Sequence, residues 1–220
     1  MAKRRQDDSI RRRRPNLQPR SRILVVCEGR VTEPDYFRAL GRRERIKLIE
    51  VVVNDEGGVP KTLVERAVQL KKSADREARR MNDRFLRYDE IWCVFDIDAH
   101  PNVAQAKQQA RDNTILLAVS NPCFEVWILL HFQDQRGHVE RHTVQGICRG
   151  HIPGFVKSVP FSALDGRYEE AVARATALEK WQIECGRAGG NPSTDVHKLT
   201  ERIRRLAADT VVSNLLRLRQ

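Results

Sequence analysis

Four short apolar runs, each set off from the next by residues of helical periodicity, do more than any other feature to limit what this chain can fold into. The first, Ile23-Leu24-Val25-Val26-Cys27, is largely β-branched and too short for a buried helix, so it reads as a buried strand. It stops at Glu28-Gly29, and Thr32-Glu33-Pro34 then opens a helix. Thr32 is placed to cap that helix, a proline suits its first turn, and Tyr36, Phe37 and Leu40 form its apolar stripe. Residues 46–53 repeat the strand pattern and residues 54–58 read as a turn. Val59-Pro60 begins a long helix that carries Leu63, Ala67 and Leu70 at helical spacing. Glu90 to Asp96 is a third strand, Pro101-Asn102 starts a polar helix to about Asp112, and Thr114 to Val119 is a fourth strand. Ser120-Asn121-Pro122 reads as the cap of the next helix, in which Phe124, Val126, Trp127, Leu129, Leu130 and Phe132 are core candidates. Strands alternating with helices predict an α/β protein with a mostly parallel four-stranded sheet flanked by helices.

Beyond Phe132 the periodicity weakens. Six Gly and Pro residues between 133 and 165 predict short helices and loops, followed by a helix over about 166–185. A break at Gly189-Gly190-Asn191-Pro192 precedes a last helix, which Ser193 or Thr194 is placed to cap. The expected organisation is a basic arm over 1–21, an α/β core over 22–132 and a helical elaboration over 133–220. No internal repeat is present.

Right-handed crossovers bring the C-terminal ends of parallel strands to one sheet edge, where open α/β sheets bind ligands. Glu28 ends the first strand, Asp96 and Asp98 end the third, and Asn121 follows the fourth, so residues remote in sequence are expected to share a crevice. Alternation puts Asp96 and Asp98 on the same side if the strand persists, and two such carboxylates repel unless a cation lies between them. Hard carboxylate oxygens favour magnesium or manganese. Asp98 also suits a helix cap, and D-x-D pairs occur in haloacid-dehalogenase-type phosphatases and nucleotide-sugar transferases. The phosphatase pattern wants the pair after the first strand, and here it follows the third. Glu33 and Glu125 lie in first helical turns, where the helix dipole favours acids whether or not they bind metal. Asn121 and His100 are candidate substrate contacts, and Lys157 and Arg167 are candidate phosphate contacts by charge alone. His131 lies on an apolar helix and suits a core hydrogen bond. His138, His142, Cys148 and His151 have zinc-ligand chemistry at irregular spacing.

Taken together, Cys27-Glu28-Gly29, Thr32-Glu33-Pro34-x-Tyr36-Phe37, Phe95-Asp96-Ile97-Asp98, Ser120-Asn121-Pro122-Cys123-Phe124-Glu125-Val126-Trp127 and Asn191-Pro192-Ser193-Thr194-Asp195 resemble the RloB family of bacterial restriction-modification loci. The placing of Glu28 after strand one and of an acidic pair after strand three resembles the wider Toprim pattern of topoisomerases, primases and nucleases. That resemblance implies a Toprim-like fold and magnesium-dependent phosphodiester hydrolysis. Glu28 would be a metal ligand or general acid/base, Asp96 and Asp98 metal ligands, and Glu33 or Glu125 parts of a second site. It also implies a role in defence against phage or foreign DNA. The Asn191–Asp195 motif matches the family, but its residues suggest no chemistry beyond a helix start.

Net charge narrows the partners. Nine Lys/Arg against two Asp in residues 1–22 account for +7 of the net +11, so the arm suits DNA, or RNA such as tRNA, as much as a solvated tail. Lys71 to Arg87 adds a basic helix face with the same two readings. The five cysteines form no C-x-x-C pair and no apolar run is long enough to span a membrane, so a cytoplasmic protein without disulfides is expected. No phosphate loop of the Walker type is present, and ATP dependence would need a separate ATPase partner. The competing reading is a non-catalytic module that binds nucleic acid or an ATPase. A small-molecule phosphohydrolase is a third.

Overall fold

A computed structural model of the chain describes residues 21–46, 49–54, 59–97, 102–155 and 160–218, with side chains to residue 209. Its elements in order are β1 (Ile23–Cys27), α1 (Thr32–Arg43), β2 (Ile49–Val53), α2 (Pro60–Arg80), β3 (Glu90–Asp96), α3 (Val103–Asp112), β4 (Leu116–Asn121) and α4 (Glu125–Leu130). They continue with α5 (Arg141–His151), α6 (Ser162–Asp165), α7 (Tyr168–Glu184), β5 (Ser193–Thr194) and α8 (Val196–Leu218). Among the described residues the strands form one sheet in the order β2-β1-β3-β4-β5, parallel except for β5. The fold is α/β and consistent with the Toprim-like type. The sheet has five strands rather than the expected four.

Strand alternation divides the core in two. Ile23, Val25, Cys27, Trp92, Val94 and Ala118 face α1 and the C-terminal helices. Leu24, Val26, Ile91, Cys93, Phe95 and Val119 face α2 and α3, whose Leu63, Val64, Ala67, Ala106 and Ala110 cover them. The first of these clusters runs without interruption from Ile23 to Ile203, through the edge-on rings of Tyr36, Phe37 and Phe124. By the same alternation Asp96 projects to the α1 and C-terminal side.

β2 and β3 flank β1, so the chain leaves β1 in one direction and returns past it in the other. The crevice at the C-terminal ends of β1 and β3 is therefore the topological switch point, where ligands enter such sheets. The ladder extends one residue past each strand: the Glu28 N–H donates to Val94 O (3.0 Å) and the Ile97 N–H to Ser120 O (2.7 Å).

Several local expectations are corrected. Thr32 does not hold the cap position of α1: it is the first helical residue, and Val31, which holds that position, makes no side-chain capping hydrogen bond. Ser120 and Asn121 belong to β4 and do not cap α4, whose cap position is Phe124. β4 begins at Leu116, because Thr114 turns the chain with φ 58°.

The reason for the misplaced cap of α4 is β5. Ser193 and Thr194 pair with Asn121 and Ser120, whose hydroxyl lies 3.1 Å from that of Thr194, and the Asp195 N–H donates to Val119 O (2.8 Å). Asn121 Nδ2 donates to Gly189 O (3.0 Å). Thr194 Oγ1 also accepts the Val196 N–H (3.2 Å) at the start of α8. Asn191 accepts from the Val139 N–H through Oδ1 (3.0 Å) and donates to the Val139 carbonyl through Nδ2 (2.9 Å), so its amide mimics a strand neighbour. The motif without evident chemistry is thus the bolt between the last helix, β4 and the segment that leads into α5. Asn191→Ala is expected to lower the unfolding free energy by about 1–3 kcal/mol, the cost of leaving two partly buried backbone groups without partners, in urea denaturation followed by circular dichroism.

Candidate active site

Four acidic side chains face the crevice at the switch point, near enough to feel one another's charge, each delivered by a different local rule. Glu28 follows β1, where the strand ends and the chain turns, and its Oε2 accepts the Asp96 N–H at 3.2 Å. Asp96 is the last residue of β3 and only 8% exposed, because the α1-facing side of the sheet is covered by α1, α4 and α5. Glu33 sits in the first turn of α1 at 6% exposure, and Glu125 begins α4 at 7%. Glu125 is held from behind: Gln145 Nε2 donates to its Oε1 (3.3 Å), and the Cys148 thiol donates to its carbonyl (3.6 Å).

Burial dominates the electrostatics. It pushes the Asp96 carboxyl well above the usual carboxylate range, and the charges of Glu33, Glu125 and Glu28 push it further, while Arg141 opposes them. Glu33 is pushed up to about 7, first by burial and then by Glu125 and Glu28, against a hydrogen bond from its own backbone N–H and the pull of Arg141. The carboxylates therefore sense one another across the crevice, although they come from β1, α1, β3 and α4.

Gly29 makes room for this arrangement. A Cβ built at position 29 would lie 1.8 Å from Glu33 Oε2 and 2.5 Å from Oε1, so the Glu33 carboxylate rests against the glycine backbone. The Cys27-Glu28-Gly29 turn thus supplies one acid and the space for another.

Arg141 is the residue that sequence reasoning missed. It is the first residue of α5, and its Nη2 donates to Asp96 Oδ2 at 3.1 Å. Nothing in Glu140-Arg141-His142 distinguishes it from the many charged residues around it. Its signal lies two residues earlier, at Val139, and in the Asn191 that holds Val139 from 52 residues further along the chain, and requires the fold.

Asp98, His100 and Lys157 lie outside the described residues. Asn121 is at the edge of the crevice but its amide is committed to Gly189. Arg167 stacks over the Phe132 ring at 5.2 Å. His131 is a core residue: its Nδ1 lies 2.9 Å from Trp127 O and must carry the proton, since a carbonyl only accepts, and burial pushes its pKa down to about 4. The zinc alternative has no support among the described residues: His138 pairs with Glu140, His151 with Gln133, and Cys148 is buried beneath Glu125. Cys27, Cys93, Cys123, Cys148 and Cys185 are all free thiols.

The donor chemistry fits a hard divalent cation in kind: buried, mutually repelling carboxylates with an excess of negative charge are what such an ion offsets. Among the described residues no three His, Cys, Asp or Glu side chains converge closely enough to enclose one.

The model of the RloB-like protein family matches residues 23–203. The chain belongs to the RloB-like protein family. The match spans β1 through the first two turns of α8 and so covers Glu28, Glu33, Asp96, Glu125, Arg141 and Asn191. No curated protein and no solved structure matches the chain. Among the described residues no helix is long and apolar enough to cross a membrane.

Two measurements probe the site. A carboxyl whose folded pKa is raised contributes stability that is full below its unfolded value and lost as pH rises through the folded one. For Glu33 the window runs from 4.5 to about 7, so metal-free protein is expected to lose on the order of 3 kcal/mol across it. Asp96 adds a loss of the same sign, and Glu33→Gln should flatten the Glu33 part of the slope in melts taken at pH 5 and pH 8. Gly29→Ala is expected to cost the fold little, since the far end of Glu33 can swing aside. The displaced carboxyl should then titrate nearer the ordinary range in carboxyl-carbon NMR.

Proposed function

We propose that this RloB-like protein is a metal-dependent nuclease that hydrolyses phosphodiester bonds at the switch-point crevice. The observation that carries the reading is the burial of Asp96 and Glu33 beside Glu28 and Glu125, which raises both carboxyls and makes the crevice costly to ionise unless a cation enters it. Glu28, Asp96 and Asp98 would hold magnesium, or manganese in its place, and Glu33 or Glu125 would complete a second position. The bound ion would supply a Lewis acid for the scissile phosphate and a lowered pKa for water.

The chain's own residues do the rest. Glu33, poised near 7, is the group best matched to taking the proton of an attacking water and returning one to the leaving oxygen at neutral pH. Glu28 is oriented by the Asp96 N–H and Glu125 by Gln145, so neither must reorganise when substrate arrives. In the reaction the water oxygen bonds to phosphorus as the phosphorus–oxygen bond to one nucleoside breaks, leaving a phosphate end and a hydroxyl end. DNA and RNA such as tRNA are the candidate polymers. Defence against phage or foreign DNA, with a separate ATPase as trigger, is the setting that the family resemblance supports.

A second reading, a non-catalytic nucleic-acid module, draws on the exposed cations Arg76, Arg79 and Arg80 at the end of α2 and Arg84 in the short turn beyond it, with half-exposed Phe85 stacked under Arg84. One experiment separates the two. Purified protein is incubated with plasmid, single-stranded DNA and total tRNA in magnesium, manganese or EDTA, alongside an Asp96→Asn/Asp98→Asn variant. Cleavage of one polymer, lost in EDTA and reduced at least a hundredfold in the folded double variant, is expected. Undiminished cleavage by that variant would sink the nuclease reading. Salt-sensitive, metal-independent binding without cleavage would favour the module.

A further inference from the structure

Arg141 is an odd choice for its position. It is the first residue of an α-helix, where the helix dipole disfavours a cation, and it comes from the C-terminal elaboration rather than from the sheet that carries the acids. A residue that breaks a local rule in this way invites a functional explanation. Its guanidinium lies between Asp96 and solvent: the Asp96 side chain is 11% exposed and the Arg141 side chain 39%. Its charge acts on Glu33, Asp96 and Cys123 together. The clamp of Asn191 on Val139 fixes the backbone two residues before it, so the cation is aimed rather than adventitious.

Resting on the nuclease reading above, we propose that Arg141 is the substrate-phosphate ligand of this crevice and that, before substrate arrives, it is parked on Asp96, where it competes with the metal. A carboxylate oxygen shared by a guanidinium and a divalent cation would hold two positive charges side by side, so each weakens the other. The planar donor fork that now grips a carboxylate matches a phosphate equally well. A phosphodiester entering the mouth takes Arg141 from Asp96, frees that carboxylate for the metal and gains a charge-assisted contact. Metal and substrate then bind with positive cooperativity, and by linkage each raises the affinity of the other by the same factor. The enzyme without substrate is correspondingly reluctant to load its ion, which limits idle hydrolysis.

The test reads metal binding rather than cleavage. Manganese affinity of the full chain is measured by electron paramagnetic resonance for the wild type, R141Q, R141K and D96N. Each is titrated in chloride and in sulfate of equal ionic strength, with sulfate as an inert tetrahedral oxyanion in place of phosphodiester. R141Q is expected to bind manganese on the order of tenfold more tightly than the wild type, within the range usual for coupled ligands. R141K keeps the charge and should stay near the wild type in chloride. Sulfate should tighten manganese binding by the wild type severalfold, by R141K less, and by R141Q not at all. D96N should lose the site.

Unchanged or weaker manganese binding by folded R141Q, with D96N still abolishing it, overturns the inference and leaves the nuclease reading standing. If R141Q does not fold by circular dichroism, a wild type and R141K that both ignore sulfate overturn it equally. A wild type that binds no manganese overturns the nuclease reading and this inference together.

Discussion

Carboxylates repel one another most where water cannot screen them, and this fold gathers four at the mouth of its sheet with two raised by burial. Much of the surrounding structure can be understood as the means of tolerating that repulsion. The parallel pairing of β1 with β3 sets Glu28 against the Asp96 N–H, so one acid is partly satisfied by the backbone of another. The apolar faces of α1 and α4 exclude water on one side, and Gly29 admits the Glu33 carboxylate on the other. A crevice of this kind costs stability in the empty protein, and the two continuous apolar clusters on either face of the sheet supply the offset.

Counter-charge comes from elsewhere in the chain. The helical elaboration shares its core with the sheet, and from that platform α5 sends Arg141 to Asp96 and Gln145 to Glu125. The sheet thus contributes acids and the elaboration contributes the groups that govern them. This division gives a physical reason for one family signature to run from residue 23 to residue 203, beyond the sheet's first four strands.

Much of the fold was legible in advance. β1, β3, α1 and α2 were marked by apolar runs and helical spacing, and strand order set Glu28 and Asp96 at one sheet edge, whereas Glu33 and Glu125 stood out only as acids in first helical turns. The misplaced cap of α4 has a non-local origin. Ser120 and Asn121 read locally as a helix cap, yet their partners are Thr194 and Gly189, roughly seventy residues away, and no local pattern encodes that pairing. Asn191 was visible as part of a motif, but its role exists only through Val139. Arg141 was hidden for the opposite reason: in a chain with forty Lys and Arg residues, one more cation carries no signal until its neighbour is known.

Asn191 holds the segment before α5 through one side-chain amide, which closes a ladder of two hydrogen bonds across 52 residues of chain. The turns that lead into its two ends, 134–138 before Val139 and 186–190 before Asn191, carry neither the crevice acids nor Arg141 and Gln145. Turns such as 134–138 and 186–190 can lengthen or shorten at a loop-closure cost that grows only logarithmically, while the guanidinium stays on its target. The geometry of the site is then insulated from length variation in the loops beside it, and relatives can vary those loops, and whatever they touch, without redesigning the chemistry.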